Sequence, residues 1–251
     1  MTALEILGCR VDAIDADEAT ARIVAFAQEG RAAQVVTLGT EMVVYAQRDT
    51  RFRAIVNAAA LSLCDTVGVL AVARRRGVRL AERVTGVELV ERLCAGAAAR
   101  GLPVYFLGGA RDVAAAAAAS LQAKFPNLRV AGARDGYFRD EASPEIAAAI
   151  AHSGARLLFA GMGFPRQEFW LAEHLAQTRC VGIGVGGSFD VIAERIPRAP
   201  RLICRLGLEW LYRLVREPWR WRRQLALPRF VWLVVLDEFR PGRRQKKAAA
   251  S

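Results

Sequence analysis

The order of apolar and polar positions divides this chain into short apolar runs alternating with longer Ala-rich or amphipathic segments. Runs at 33–38, 61–64, 103–107, 128–133, 156–160 and 180–185 read as strands. They are unbroken rather than alternating, the pattern of parallel strands buried on both faces. Helices are expected between them, near 16–30, 41–59, 67–76, 85–100, 110–125, 143–152 and 165–176. Thr85 and Glu88 have the spacing of a capping box, and Ser143 reads as an N-cap followed by Pro144 at the first helical position. Repeated strand–helix alternation predicts an α/β fold, a largely parallel sheet flanked by helices in Rossmann-like layers.

Beyond residue 194 the pattern changes. Apolar residues at 202, 206, 210 and 214 make a helical stripe with Arg205, Arg213 and Arg216 off it. Pro218 breaks that helix and opens a second helical piece rich in Trp and Arg, and 241–251 is expected to be disordered. The expected organisation is therefore an α/β core over 1–194 and a basic helical appendage over 195–251.

Charge follows the same boundary. Residues 195–251 hold 15 Lys+Arg against 4 Asp+Glu and four of the five tryptophans, while residues 1–194 hold 21 of each sign. A neutral body with a basic, Trp-bearing appendage is expected to meet an anionic partner, either a nucleic acid or a membrane surface.

Composition removes other classes. A hydrophobic fraction of 53% allows a sizeable core. The first 17 residues carry Glu5, Asp12, Asp15 and Asp17 and do not read as a signal peptide. No run approaches the roughly 20 apolar residues that cross a bilayer. The longest in the appendage, 230–236, is suited to lying on a membrane. Cys9, Cys64, Cys94, Cys180 and Cys204 are scattered and read as reduced thiols. His152 and His174 fall on expected helices, which gives a His-based triad or a metal site little support. No metal or other cofactor is expected.

Ligands of parallel α/β sheets bind beyond the carboxyl ends of the strands. Asp65 directly follows the apolar run 61–64, where a charge either caps the next helix or faces a ligand as a general base. Both readings stand at this point. Thr37 ends the neighbouring strand, within reach of the same ligand. Gly108–Gly109, Gly161 with Gly163, and Gly186–Gly187 each precede a helix, where backbone amides can face a phosphate and glycine can equally be conformational. Neither GxxxxGK[ST] nor GxGxxG occurs. Asp15-Ala-Asp17 matches a bare DxD pattern but sits ahead of an amphipathic helix, where capping is the expected role.

Taken in order, these segments resemble the WecG/TagA/CpsF family of bacterial glycosyltransferases. The resemblance runs through VVTLGTEMVVYAQRD (35–49), LCDTVGVLAVARRRG (63–77), ERVTGVELVERL (82–93), VYFLGGARDVA (104–114), DGYF (135–138), FAGMGFPRQEFW (159–170), GVGGSFDVIAERIPRAP (184–200) and GLEWLYRLVREPWRWRRQ (207–224). It implies an inverting transfer of an N-acetylmannosamine-type or related sugar from a UDP-sugar to an undecaprenyl-diphosphate-linked saccharide. The reaction would take place at the cytoplasmic face of the membrane, in cell-surface polysaccharide synthesis. It further implies Asp65 as catalytic base with Thr37 beside it, Arg83 and Gln167 in the substrate and nucleotide site, and Arg213, Arg216 and Arg220 reaching the diphosphate. Three positions depart from the family's usual residues: Gly39, where Asn is common; Thr66, where Gly follows the Asp; and Asp135, where His often precedes Gly-Tyr-Phe. All three positions are expected to line the substrate pocket.

The resemblance gives the appendage a purpose. A lipid diphosphate lies in an anionic bilayer, where each nearby Lys or Arg contributes about 1 kcal/mol and Trp favours the headgroup boundary. Trp219, Trp221 and Trp232, set among Arg220, Arg222, Arg223 and Arg229, are the expected membrane contacts, whereas Leu206, Trp210 and Leu214 fit either a docked core or a surface. Basic residues among aromatics also suit nucleic acid, but no nucleic-acid module is recognisable and nucleic acid is not the expected partner. Homo-oligomerisation is left open, since a buried appendage and a subunit interface read alike.

Overall fold

The computed structural model describes residues 3–78, 80, 83–197, 200, 203, 209–216, 218, 221 and 225–239. It begins with strands β1 (Ala3–Ile6) and β2 (Cys9–Asp12), then helix α1 (Ala16–Gln28), strand β3 (Ala33–Leu38) and helices α2 (Thr40–Tyr45) and α3 (Thr50–Ala58). Next come β4 (Leu61–Cys64), α4 (Val67–Arg75), α5 (Gly86–Arg100), β5 (Val104–Gly108), α6 (Val113–Lys124) and β6 (Val130–Arg134). There follow α7 (Ser143–His152), β7 (Leu157–Gly161), α8 (Arg166–Thr178), β8 (Val181–Gly184) and α9 (Ser188–Ile192). Helices α10 (Glu209–Arg216) and α11 (Ala226–Glu238) come last.

All six strands expected from the apolar runs form, and they pair in one sheet in the order β4-β3-β8-β7-β5-β6. Every pairing is parallel. The fold is thus the expected layered α/β architecture. Alternate residues of each strand feed opposite faces. Val35, Phe106, Phe159 and Ile183 pack with α1, α5, α6 and α9 on one side. Val36, Leu38 and Cys64 meet α2, α3 and α4 on the other, where Leu107 and Leu158 meet α7 and α8. Burial on both faces is why β3, β4, β5, β7 and β8 carry apolar runs, whereas edge strand β6 is only partly covered.

Three expectations are corrected. The helix expected over 41–59 is two helices, because Asp49 accepts a hydrogen bond from the Phe52 amide at 2.8 Å and caps α3. Ser143 is not the N-cap of α7. Ala142 holds that position, and Ser143 is buried within the first turn. An antiparallel hairpin, β1–β2, occupies the N-terminal segment that showed no apolar run. Its two-residue turn, Leu7–Gly8, has φ of +50° and +81°, the positive pair of a type I′ turn. The hairpin covers the sheet edge: Asp12 Oδ2 accepts from the Ser62 amide of edge strand β4 at 2.8 Å.

Other local readings stand in whole or in part. Asp15 caps α1 through the Glu18 amide at 2.8 Å. Only half of the capping box expected from Thr85 and Glu88 forms: Thr85 accepts from the Glu88 amide at 3.4 Å, but the Glu88 carboxylate turns to Arg92 at 2.9 Å rather than back to the N-cap. Cys9, Cys64, Cys94 and Cys180 are buried and free. Cys204 lies outside the described residues.

Helix α10 covers part of the stripe expected over 202–215; Leu202 and Leu206 lie outside the described residues, as do Trp219, Arg220, Arg222, Arg223 and 241–251. Helix α11 docks on α2. Phe230 and Val234 enter the core beside Met42 and Val43. Ion pairs Arg76–Asp237 and Arg75–Glu238, both 3.0 Å, tie its far end to the end of α4. The apolar run 230–236 is therefore divided between two environments: Val231, Trp232, Val235 and Leu236 remain exposed. Among the described residues no helix is long and apolar enough to cross a membrane.

Candidate active site

A cavity of about 510 Å³ opens beyond the carboxyl ends of β3, β4 and β8. Thr37, Gly39 and the first turn of α2 line it from β3. Asp65 and Thr66 come from the end of β4, and Arg83 and Thr85 from the segment leading into α5. Gly163, Phe164 and Gln167 lie after β7, and 185–188 after β8. Trp210, Tyr212 and Leu227 close the remaining side.

Backbone pairing sets these groups side by side. The Asp65 amide donates to the Leu38 carbonyl at 3.2 Å, prolonging the β3–β4 register. The Val84 amide donates to the Cys64 carbonyl at 2.7 Å and brings Arg83 to the same strand end. The N-cap position of α4 is held by Thr66, with Asp65 immediately before it. Buried Thr37 donates its hydroxyl to the Gly184 carbonyl at 2.8 Å, which leaves its oxygen free to act only as an acceptor toward a ligand. Phe164 is held edge-on by Tyr45 and Phe52, at centroid separations of 5.1 and 5.3 Å.

Gln167 lines the cavity and is also bonded internally. Its side chain is buried, and its Oε1 accepts from the Gly163 amide at 3.2 Å and the Gly186 amide at 3.0 Å. Its Nε2 donates to Glu168 Oε1 at 2.7 Å. The carboxamide thus joins the loops after β7 and β8. The Gly163 and Gly186 amides are spent on it and do not present themselves to a phosphate.

Two groups beside the site have strongly shifted acidities. Burial, then the neighbouring Asp65 charge, pushes the Cys64 thiol up to about 12, against the pull of Arg83 and Arg74. A neutral thiol at neutral pH makes Cys64 a packing residue rather than a nucleophile. Burial pushes the Glu168 carboxyl up to about 7; its hydrogen bond from Gln167 works in the opposite direction. Among the described residues no group of three or more His, Cys, Asp or Glu side chains is placed to hold a metal.

The structure thus brings Thr37, Gly39, Asp65, Arg83, Gly163, Gln167, Gly186 and Gly187 around one cavity. Gly108, Gly109 and Gly161 lie outside its lining, and close loop packing explains them. A Cβ on Gly161 would stand 2.7 Å from the Phe189 ring, and one on Gly108 would enter the Gly161 backbone. The Gly109 amide bonds the Gly161 carbonyl at 3.0 Å, and the Gly136 amide bonds the Gly109 carbonyl at 2.9 Å. Asp135, expected at the pocket with Gly39 and Thr66, does not line the cavity; it belongs to that neighbouring stack of loops, held by Arg166 through the Gly136 and Phe138 carbonyls at 2.6 and 2.5 Å. Arg216 is exposed and sits over Tyr212, 5.6 Å from its ring centre, outside the cavity lining. Arg220 and the Arg213 side chain fall outside the described residues. Sequence reasoning set Glu41 and Glu168 in strand-end segments but gave them no role, and it gave none to Tyr212; Glu41 and Tyr212 line the cavity and Glu168 is buried behind it. Strand-end position brings Glu41 and Glu168 near the site, but the burial of the Glu168 carboxyl leaves no periodic signal.

A model of the WecG/TagA/CpsF glycosyl transferase family matches residues 4–244. The N-acetylglucosaminyldiphosphoundecaprenol N-acetyl-beta-D-mannosaminyltransferase of Bacillus spizizenii strain W23 is 35% identical over 215 residues, 85% of this chain and 82% of the relative. The protein of the same name from Bacillus subtilis strain 168 is 32% identical over 208 residues, 82% of this chain and 80% of the relative. With a match that takes in both the sheet and the strand ends around Asp65, the chain belongs to the WecG/TagA/CpsF family of glycosyl transferases.

Proposed function

We propose that this protein transfers an N-acetylmannosamine-type or related sugar from a UDP-sugar to an undecaprenyl-diphosphate-linked saccharide, with inversion at the anomeric carbon. The observation that carries the reading is Asp65 at the end of β4, lining the same cavity as Thr37 and Arg83, in a chain whose relatives bear the transferase name given above. The Asp65 carboxylate takes the proton of the acceptor hydroxyl as its oxygen attacks the anomeric carbon. The bond to the donor oxygen breaks, and UDP leaves with the electron pair. Thr37 accepts from a sugar hydroxyl. Arg83 supplies positive charge near the developing diphosphate, with Arg213, Arg216 and Arg220 of the appendage completing that role.

The division into a core over 1–194 and a membrane-seeking appendage over 195–251 belongs to the same proposal. Exposed Trp221, Val231, Trp232, Leu236 and Phe239 support it, as do the basic residues of the segment. Apolar contact and charge attraction are the two weak signals that together hold a peripheral protein on an anionic bilayer. The enzyme would then work at the inner face of the cell membrane.

A screen of UDP-sugars against a short-chain polyprenyl-diphosphate saccharide, read by mass spectrometry, tests the reaction. A product heavier by one sugar, with UDP released, is expected. Absence of transfer from every UDP-sugar would overturn the donor assignment.

A further inference from the structure

Glu168 is the one carboxyl in the first turn of α8, 1% exposed, and nothing in the proposed reaction uses it. Its Oε1 accepts from Gln167 Nε2, and its Oε2 has no hydrogen-bond partner. A buried polar atom left in this condition is costly and calls for an account. The other oxygen, Oε1, has a defined place in the local hydrogen bonding. The Gln167 carboxamide has one accepting and one donating end, and the accepting end already receives the Gly163 and Gly186 amides. The opposite orientation would set Nε2 against two N–H groups and Oε1 against the Glu168 oxygen. Glu168 therefore selects the working orientation by offering an acceptor where Nε2 must point. Both side chains press on Gly184, where a Cβ would stand 2.8 Å from Gln167 Nε2 and 3.0 Å from Glu168 Oε1. That residue's carbonyl also receives the Thr37 hydroxyl.

We propose that Glu168 is a positioning residue, whose carboxyl orients the Gln167 carboxamide so that it staples the β7 and β8 loops along the wall of the cavity. The dependence of ligand binding on this staple rests on the nucleotide-sugar reading above; the staple itself does not. Without the acceptor at residue 168, Nε2 is left buried and unpaired, and the carboxamide is free to leave both glycine amides.

Hydrogen exchange at the Gly163 and Gly186 amides reads the staple without any ligand. In the full-length protein both are expected to be protected. Glu168→Leu should speed exchange at both by roughly tenfold, the scale of one lost hydrogen bond, while amides of β3 and β5 keep their rates. Glu168→Gln retains an acceptor toward Gln167 and should keep both protected. In a Gln167→Leu background, Glu168→Leu should produce no further change at the two amides, which separates an effect through Gln167 from general loosening. Calorimetry with UDP then reads the consequence: weaker binding by Glu168→Leu, and affinity within about twofold of the original for Glu168→Gln. Unchanged exchange in Glu168→Leu would overturn the proposal. Should that variant fail to fold, open-loop exchange at both glycines in Glu168→Gln would overturn it instead. If the unaltered protein shows protected glycines but no UDP binding, the donor reading fails and the staple stands.

Discussion

Gly39 and Thr66 meet across the mouth of the cavity: a Cβ at residue 39 would stand 3.3 Å from Thr66 Cγ2. Thr66 also accepts the Thr40 amide on its hydroxyl at 3.2 Å. Gly39 is the N-cap of α2 and has no side chain to cap it. Thr66 therefore serves the first turn of α2 from the neighbouring strand end. These are two of the three positions where the chain departs from the residues usual in the family it resembles, Asn and Gly. An Asn at the first position can cap α2 by itself, and a Gly at the second makes room for it. The two departures therefore lie in direct contact, and a side chain at residue 39 has to displace the Thr66 methyl.

Gly39→Asn alone should destabilise the protein by about 1–3 kcal/mol, because the added side chain meets the Thr66 methyl. Adding Thr66→Gly should recover most of that loss, with a coupling energy of about 0.5–3 kcal/mol from the double-mutant cycle. Thermal melts of the four proteins measure it. Simple additivity would show that the two residues do not compensate one another. A donor screen on the double variant tests whether the pair also shapes sugar preference.

Asp65→Asn retains size and polarity but cannot take up the acceptor proton. Transfer should fall roughly 10²–10⁴-fold. The melting temperature should hold, since Thr66 occupies the cap position of α4. A folded variant with near-normal turnover would remove Asp65 from the chemistry.

The parts of the fold that proved legible were those governed by burial on two faces. Runs such as 33–38 and 61–64 became β3 and β4 without a shift of boundary, because no other environment asks for unbroken apolar residues. What escaped depends on single local contacts. Asp49 divides one apolar-periodic segment into two helices by one side-chain bond. The β1–β2 turn uses Leu7 at positive φ, where Asn or Asp would have announced it. At the site, strand-end position was enough to reach Thr37 and Asp65. It did not separate glycines that line the cavity, such as Gly163, from Gly161, which is small because Phe189 lies against it. Only three-dimensional packing distinguishes them.

Glu168 makes stability depend on pH. Burial holds its carboxyl near 7 against an ordinary value of 4.5, and the Glu41 charge pushes in the same direction. The folded chain therefore binds this proton more tightly than the unfolded chain. The stability associated with the neutral group is complete below about pH 4.5 and is lost as pH rises through about 7. Relative to Glu168→Gln, the protein should lose roughly 3 kcal/mol between pH 4.5 and pH 8, each tenfold difference in proton affinity being worth about 1.36 kcal/mol. Denaturant unfolding of both proteins at the two pH values gives the difference directly. A constant gap across that range would show that Glu168 titrates normally.

Helix α11 offers a test in which folding and membrane binding separate on neighbouring residues. Phe230 is 2% exposed and packs beside Gly68 at the start of α4, so Phe230→Ala should cost about 3–5 kcal/mol. Trp232, two residues on, is 62% exposed, and Trp232→Glu with Leu236→Glu should alter stability by no more than about 1 kcal/mol. Those same changes put two carboxylates on the face proposed to enter the headgroup layer. They should release the protein from anionic vesicles while leaving turnover of a soluble short-chain acceptor in place. Neutralising Arg222, Arg223 and Arg229 should weaken vesicle binding most at low salt, where charge attraction is least screened. The apolar contribution of Trp232 should persist at high salt. Flotation of the Glu-substituted protein with anionic vesicles as fully as the unaltered one would take α11 out of the membrane contact.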